Sequence, residues 1–108
     1  MLVVTPYSLV PNAVIRCRPI GMLRMSDESG HDTKILAVPV DKLTPRYKHV
    51  QKPEDLDKGL LDAIEHFFKH YKELEAGKWT KIDGWEGVES ARKEIIASVK
   101  RFQQKAVA

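Results

Sequence analysis

Met25-Ser26-Asp27-Glu28-Ser29-Gly30-His31-Asp32-Thr33-Lys34 decides the architecture of this chain. It is a polar, glycine-containing turn set between two segments rich in β-formers. Upstream, residues Val14 to Met25 alternate Val14, Arg16 and Arg18 against Ile15, Cys17 and Pro19, and Met22, Leu23 and Met25 continue the apolar character. Downstream, Lys34 to Val40 reads as a second strand. Two such runs joined by a short polar turn predict a β-hairpin. Gly21 falls inside the first strand and marks a bulge or bend.

Working outward toward the N-terminus, Leu2 to Val4 is a short apolar run stopped by Thr5-Pro6, and Pro11-Asn12 signals a turn. The opening run is too short for a signal-peptide core and lacks a basic lead. It reads as the tail of a strand whose upstream part is missing. Toward the C-terminus the period changes. Leu60, Leu61, Ile64, Phe67, Phe68, Tyr71 and Leu74 recur every three or four residues, which places them on one face of a helix. Pro53 precedes that run and Gly77 follows it, as a start and a stop. Lys78 to Ile82 reads as a short strand, and a last helix begins near Val88 with Val88, Ala91, Ile95, Val99 and Phe102 on its apolar stripe. Strands first and helices afterwards predict an α+β fold. The 108 residues suit one domain.

Composition bounds the function classes. The apolar fraction of 43% is that of a globular protein. No apolar stretch approaches the roughly 20 residues of a membrane span, so no membrane partner is expected. The net charge of +3 permits an acidic ligand without demanding one, and no dense basic stripe points to nucleic acid. The one cysteine, Cys17, reads as a small core residue of a strand, and a lone thiol fits a reducing compartment, hence the cytoplasm.

Three places carry chemistry. In the turn, Asp27 and Asp32 flank a glycine and offer hard oxygen ligands of the kind Mg²⁺ prefers. Lys34 lies two residues beyond Asp32, so the two share a strand face and can point at one ligand. A polar hairpin tip with no such role is the plain alternative. On the helix, Tyr71 and Lys72 place a phenol and an ammonium at the rim of the apolar face, either to bind phosphate oxygens or as a buried tyrosine beside a solvated lysine. His66 and His70 have a spacing that can bind zinc, but no Glu follows His66 and no third ligand is evident, so they read as surface or subunit-contact residues. Trp79 and Trp85 flank the short strand as core anchors.

Taken together, several blocks resemble the bacterial-type soluble (family I) inorganic pyrophosphatases. They are Thr5-Pro6-Tyr7, Val14 to Gly21, Met25 to Lys34, Ala37-Val38-Pro39, His66 to Glu75 and Gly77-Lys78-Trp79, in the family's own order. The resemblance implies a small OB-like β-barrel with packed helices, of which this chain would hold a remnant with two helices. It implies Mg²⁺-dependent hydrolysis of pyrophosphate to two phosphates. It makes Asp27 and Asp32 metal-binding carboxylates and Lys34, Tyr71 and Lys72 contacts to phosphate oxygens. It implies a homo-oligomer, hexameric in the family, with the helix of His66 and His70 in subunit contacts.

One departure matters. The family carries an Asp-Gly-Asp-Pro-Val-Asp-like motif just before the strand that opens this sequence. Residues 1–108 are therefore expected to be the C-terminal part of such a domain, with no residue assigned as catalytic and with low or no activity alone. The alternative is a non-catalytic oligomerising or phosphate-binding module. Further expectations are that Asp27, Asp32 and Lys34 share one rim and that the Tyr71 hydroxyl faces it. Phe67, Phe68 and Leu74 are expected to fill the core. Ile15, Leu23 and Ile35 are expected to lack cover on one face, so that the chain is not a stable monomer.

Overall fold

The computed structural model describes residues 1–107. Five strands form one mixed sheet: β1 (Leu2–Val3), β2 (Cys17–Asp27), β3 (Gly30–His31), β4 (Lys34–Pro39) and β5 (Thr80–Glu86). Two helices pack on it, α1 (Lys58–His70) and α2 (Val88–Val107). The α+β class stands, and the strands do not close on themselves. β2 is central: β4 and then β3 pair antiparallel along one side of it, and β5 along the other. β1 lies parallel to β4, with Leu2 opposite Leu36 and Val3 opposite Ala37.

A strand covered on both faces has no solvent side, so its apolar run is continuous rather than alternating. That is why Ile20, Met22, Leu23 and Met25 are all buried. Leu23 and Met25 pack with Phe68 of α1, and Met22 packs with Ile35 and with Ala91 and Ile95 of α2. Ile20, Leu36 and Val38 form a third cluster with Tyr47, Val50 and Leu61. The bulge expected at Gly21 is present as a register shift between Pro19 and Gly21. A Cβ there would overlap the Pro53 ring and the Glu86 carbonyl, so only glycine allows the approach of those two segments.

The structure corrects several expectations. The hairpin's first strand starts at Cys17 rather than Val14, and Val14 is fully exposed, because β4 ends at Pro39 opposite Cys17 and only the Val40 amide, donating to the Arg16 carbonyl at 3.2 Å, extends the pairing. Leu23 and Ile35 are not left uncovered, since α1 and α2 close over them. Helix α1 starts on Asp57, whose Oδ2 accepts the Leu60 amide at 3.2 Å, while Pro53 opens a separate 3-10 turn. The helix stops at His70, well before Gly77, so Leu74 lies beyond it and is fully exposed. Phe68 is buried against Leu23 and Met25, but Phe67, one position round the helix, is outside that cluster and 58% exposed. β5 runs past Ile82 to Glu86, with Gly84 at φ +130° beside a second register shift. Trp79 is half exposed, whereas Trp85 packs on two core clusters. On α2, Ala91 meets the sheet but Val99 and Phe102 run past its edge and are exposed.

Candidate active site

The tip of the β2–β3 hairpin and the end of α1 meet at one rim. Asp27 ends β2, and Gly30, at φ +114°, makes the turn that a residue with a Cβ would resist. The Asp32 amide donates to the Met25 carbonyl at 2.9 Å, which holds the return limb against β2. Lys34 opens β4 and pairs with Leu23 in the antiparallel register, so it stands on the α1 face of the sheet. Two residues past the last turn of α1, Lys72 arrives at the same place.

Four charges then pair off. The Lys72 Nζ donates to Asp27 Oδ2 at 2.7 Å and lies 3.6 Å from Glu28 Oε1. The Lys34 Nζ donates to Asp32 Oδ1 at 2.9 Å. The free oxygen of Asp27, Oδ1, accepts the Ser29 amide at 2.9 Å. Phe68 and Tyr71 floor the two ammoniums: Lys34 Nζ sits 5.3 Å from the Phe68 ring centre and Lys72 Nζ 5.5 Å from that of Tyr71. These are cation–π distances, and the two rings meet edge to face at 5.4 Å.

The electrostatics follow from the pairing. The Lys72 hydrogen bond, and after it the Ser29 amide, hold the Asp27 carboxyl below its ordinary value of 3.8, against the opposing effect of burial. Asp27 in turn raises Lys72 above its ordinary 10.5. Glu28 is lowered too, first by its own backbone amide and then by the Trp79 amide, which donates to its Oε2 at 3.3 Å. With Glu28 counted, three carboxylates face two ammoniums, and the rim carries an excess negative charge.

All five residues singled out from the sequence, Asp27, Asp32, Lys34, Tyr71 and Lys72, therefore lie at this rim. Sequence reasoning missed two others. Glu28 joins the Lys72 pair, and its adjacency to Asp27 was the available signal. Phe68 lies under Lys34, and nothing in a helical period announces a cation over a ring.

A divalent cation tests poorly against these residues. Carboxylate oxygens suit it, but both Asp27 and Asp32 are already neutralised by an ammonium. Among the described residues no group of three or more His, Cys, Asp or Glu side chains converges to hold a metal. The two aspartates do not make a metal centre by themselves. The His66 and His70 rings lie 4.5 Å apart, tilted by 49°, and His70 bonds to Glu73. A cavity of about 670 Å³ does lie between α1 and β5, lined by Asp62, Glu65, His66, Lys69, Lys81 and Asp83 among others. Its charges of both signs do not converge on a point, and Asp27 and Lys72 lie outside it, so the rim is the stronger candidate.

Known proteins resemble this chain over nearly its whole length. The sequence model of the family described as inorganic pyrophosphatase matches residues 1–103. A Vibrio vulnificus (strain YJ016) protein named inorganic pyrophosphatase is 58% identical over 105 residues, which are 97% of this chain and 60% of that protein. The Escherichia coli (strain K12) protein of the same name is 52% identical over the same shares. The solved structure of the Helicobacter pylori inorganic pyrophosphatase superposes with a TM-score of 0.89 at 42% identity, over 94% of this chain and 60% of that one. The chain thus spans about 60% of the length of the curated relatives it matches.

Proposed function

The chain belongs to the inorganic pyrophosphatase family, and on that premise we propose that its rim of Asp27, Asp32, Lys34, Tyr71 and Lys72 binds pyrophosphate for hydrolysis to two phosphates. The observation that carries this reading is the convergence of two ammoniums, from separate elements, on one carboxylate-lined rim. Phosphoryl transfer asks a protein mainly for positioning and for charge stabilisation. Ammonium donors supply both, through short charge-assisted hydrogen bonds to phosphate oxygens. Lys34 and Lys72 take that role, with the Tyr71 hydroxyl as a third donor. No residue of this chain is assigned as the catalytic base.

Mg²⁺ belongs to this reading through the family likeness. Asp27 and Asp32 are its two candidate donors, and being few and lysine-paired they do not suffice alone. The reading also includes a homo-oligomer, a cytoplasmic setting, and a sheet that forms part of an OB-like barrel in one domain over 1–108. Phosphate release from pyrophosphate, with and without Mg²⁺, tests the proposal on the unchanged chain and on Lys72→Met. Mg²⁺-dependent release that Lys72→Met suppresses supports it.

A second reading has one observation in its favour. Both aspartates are engaged by lysines rather than free to activate water, and general-base assistance is typically worth about 10²–10⁴ in rate. The chain would then bind phosphate without turning it over efficiently. Phosphate binding with turnover far below that of a complete relative selects this reading.

A further inference from the structure

The last four carbonyls of a helix have no partner within it and need one from outside. In α1 these belong to Phe67, Phe68, Lys69 and His70. The Tyr71 amide donates to Phe67 at 2.9 Å and the Glu73 amide to His70 at 3.1 Å. The other two are met from β5. The Thr80 hydroxyl lies 2.9 Å from the Phe68 carbonyl oxygen and 3.0 Å from that of Lys69. Its one hydrogen is shared between the two acceptors. Tyr71 keeps a helical bond of its own, so Lys72, the next residue, is the one whose place depends on this brace.

Thr80 also stands opposite Asp27 in the β2–β5 ladder. Its neighbour Trp79 gives its amide to Glu28 at 3.3 Å, and the Lys72 Nζ returns to Asp27 Oδ2 at 2.7 Å. A closed path thus runs from Asp27 across the ladder to Thr80, through the hydroxyl to the end of α1, and back through Lys72. Resting on the assignment of Lys72 to phosphate, we propose that Thr80 is a positioning residue of this site. Its hydroxyl fixes the end of α1 against the strand that ends in Asp27, and so sets where the Lys72 ammonium stands. Lys34 is placed independently, by its register with Leu23 on β2.

Valine has the shape of threonine without the hydroxyl, so Thr80→Val releases the Phe68 and Lys69 carbonyls and leaves the strand intact. Phosphate affinity should fall roughly threefold to tenfold, the scale of one ordinary hydrogen bond. Thr80→Ser keeps the hydroxyl and should restore it. Residues that act as a unit are not additive. Thr80→Val should therefore add little to Lys72→Met and should keep its full effect beside Lys34→Met. A merely structural role for Thr80 would lower affinity by the same factor in every background.

The test is a titration of the chain with inorganic phosphate in the presence of Mg²⁺, read by ³¹P NMR or calorimetry, with circular dichroism on every variant. Weaker binding by Thr80→Val, restored in Thr80→Ser and not deepened in Thr80→Val/Lys72→Met, is the expected result. Thr80→Val binding as the unchanged chain does, while Lys72→Met loses affinity, overturns the proposal and leaves the phosphate assignment standing. An equal further loss in the Lys72→Met background overturns it too. Lys72→Met binding phosphate as well as the unchanged chain overturns the assignment and the proposal with it. If Thr80→Val does not fold, Thr80→Ala is compared with Thr80→Ser in its place, and equal affinities for those two overturn the proposal.

Discussion

Lys72 places its Nζ 2.7 Å from Oδ2 of Asp27, a residue 45 positions earlier in the chain. That contact ties the end of α1 to the hairpin tip and defines the candidate site. Its consequences can be measured.

Replacing Lys72 by methionine keeps an unbranched side chain one atom shorter and removes the charge. Under the proposed function, Mg²⁺-supported pyrophosphate hydrolysis should fall by about 10²-fold, the scale on which losing one donor to developing charge is felt. Steady-state phosphate release, corrected for any host pyrophosphatase in the preparation, measures it. A loss smaller than about threefold would place Lys72 outside the site.

The same pair sets a pH window. Asp27 is lowered from 3.8 by its hydrogen bond to Lys72, so its contribution to stability is complete above about pH 3.8 and disappears as pH falls through its folded value. Lys72 is raised from 10.5 by the same bond, so its contribution is complete below about pH 10.5 and disappears as pH rises through its folded value. The stability difference between the unchanged chain and Lys72→Met should therefore be flat from about pH 5 to pH 9 and shrink on acidification below 3.8. Urea unfolding midpoints across that range give the answer, and a difference that does not shrink on acidification contradicts it.

Two neighbours on the α1 side of the sheet should respond differently to truncation. Leu23 is fully buried between Phe68 and Met25, so Leu23→Ala should cost about 2–5 kcal/mol. Phe67 is 58% exposed, and Phe67→Ala should change stability by under about 1 kcal/mol. Denaturant curves at neutral pH compare the two directly; equal losses would mean that Phe67 is covered in solution.

That cover is the subject of the last prediction. Tyr7 at 79%, Val10 at 75% and Phe67 at 58% expose large apolar side chains, and an apolar groove beside β1 is lined by Leu2, Val3, Pro6, Leu60 and Ile64. Contiguous exposed apolar surface marks association sites. The chain should sediment as an oligomer at micromolar concentration, and Phe67→Asp should shift it toward smaller species. A folded, strictly monomeric chain by sedimentation velocity would defeat this.

Much of the framework was legible because it is local. The hairpin follows from β-formers on both sides of a Ser-Asp-Glu-Ser-Gly turn, and the bulge at Gly21 from a glycine inside a strand. The helices follow from spacings of three and four, though the end of α1 did not: the pattern runs on to Leu74, while the chain leaves the helix after His70. Asp27, Asp32 and Lys34 were legible as a group because eight residues of one hairpin contain them all. Lys72 and Tyr71 joined them only through family likeness, since no local rule relates a helix end to a distant turn.

By itself, then, the sequence determined the order and type of the main elements and the candidate charges, because periodicity and turn chemistry act over a few residues. Tertiary structure alone decided which charges pair and which apolar residues are covered. A helical period states that Phe67 and Phe68 lie near one face; only the packing of α1 on Leu23 and Met25 buries the second and leaves the first in water. Likewise a lysine and an aspartate far apart in sequence carry no mark of each other. Their 2.7 Å contact exists because the sheet and α1 are fixed by packing, and that packing brings the charges within reach.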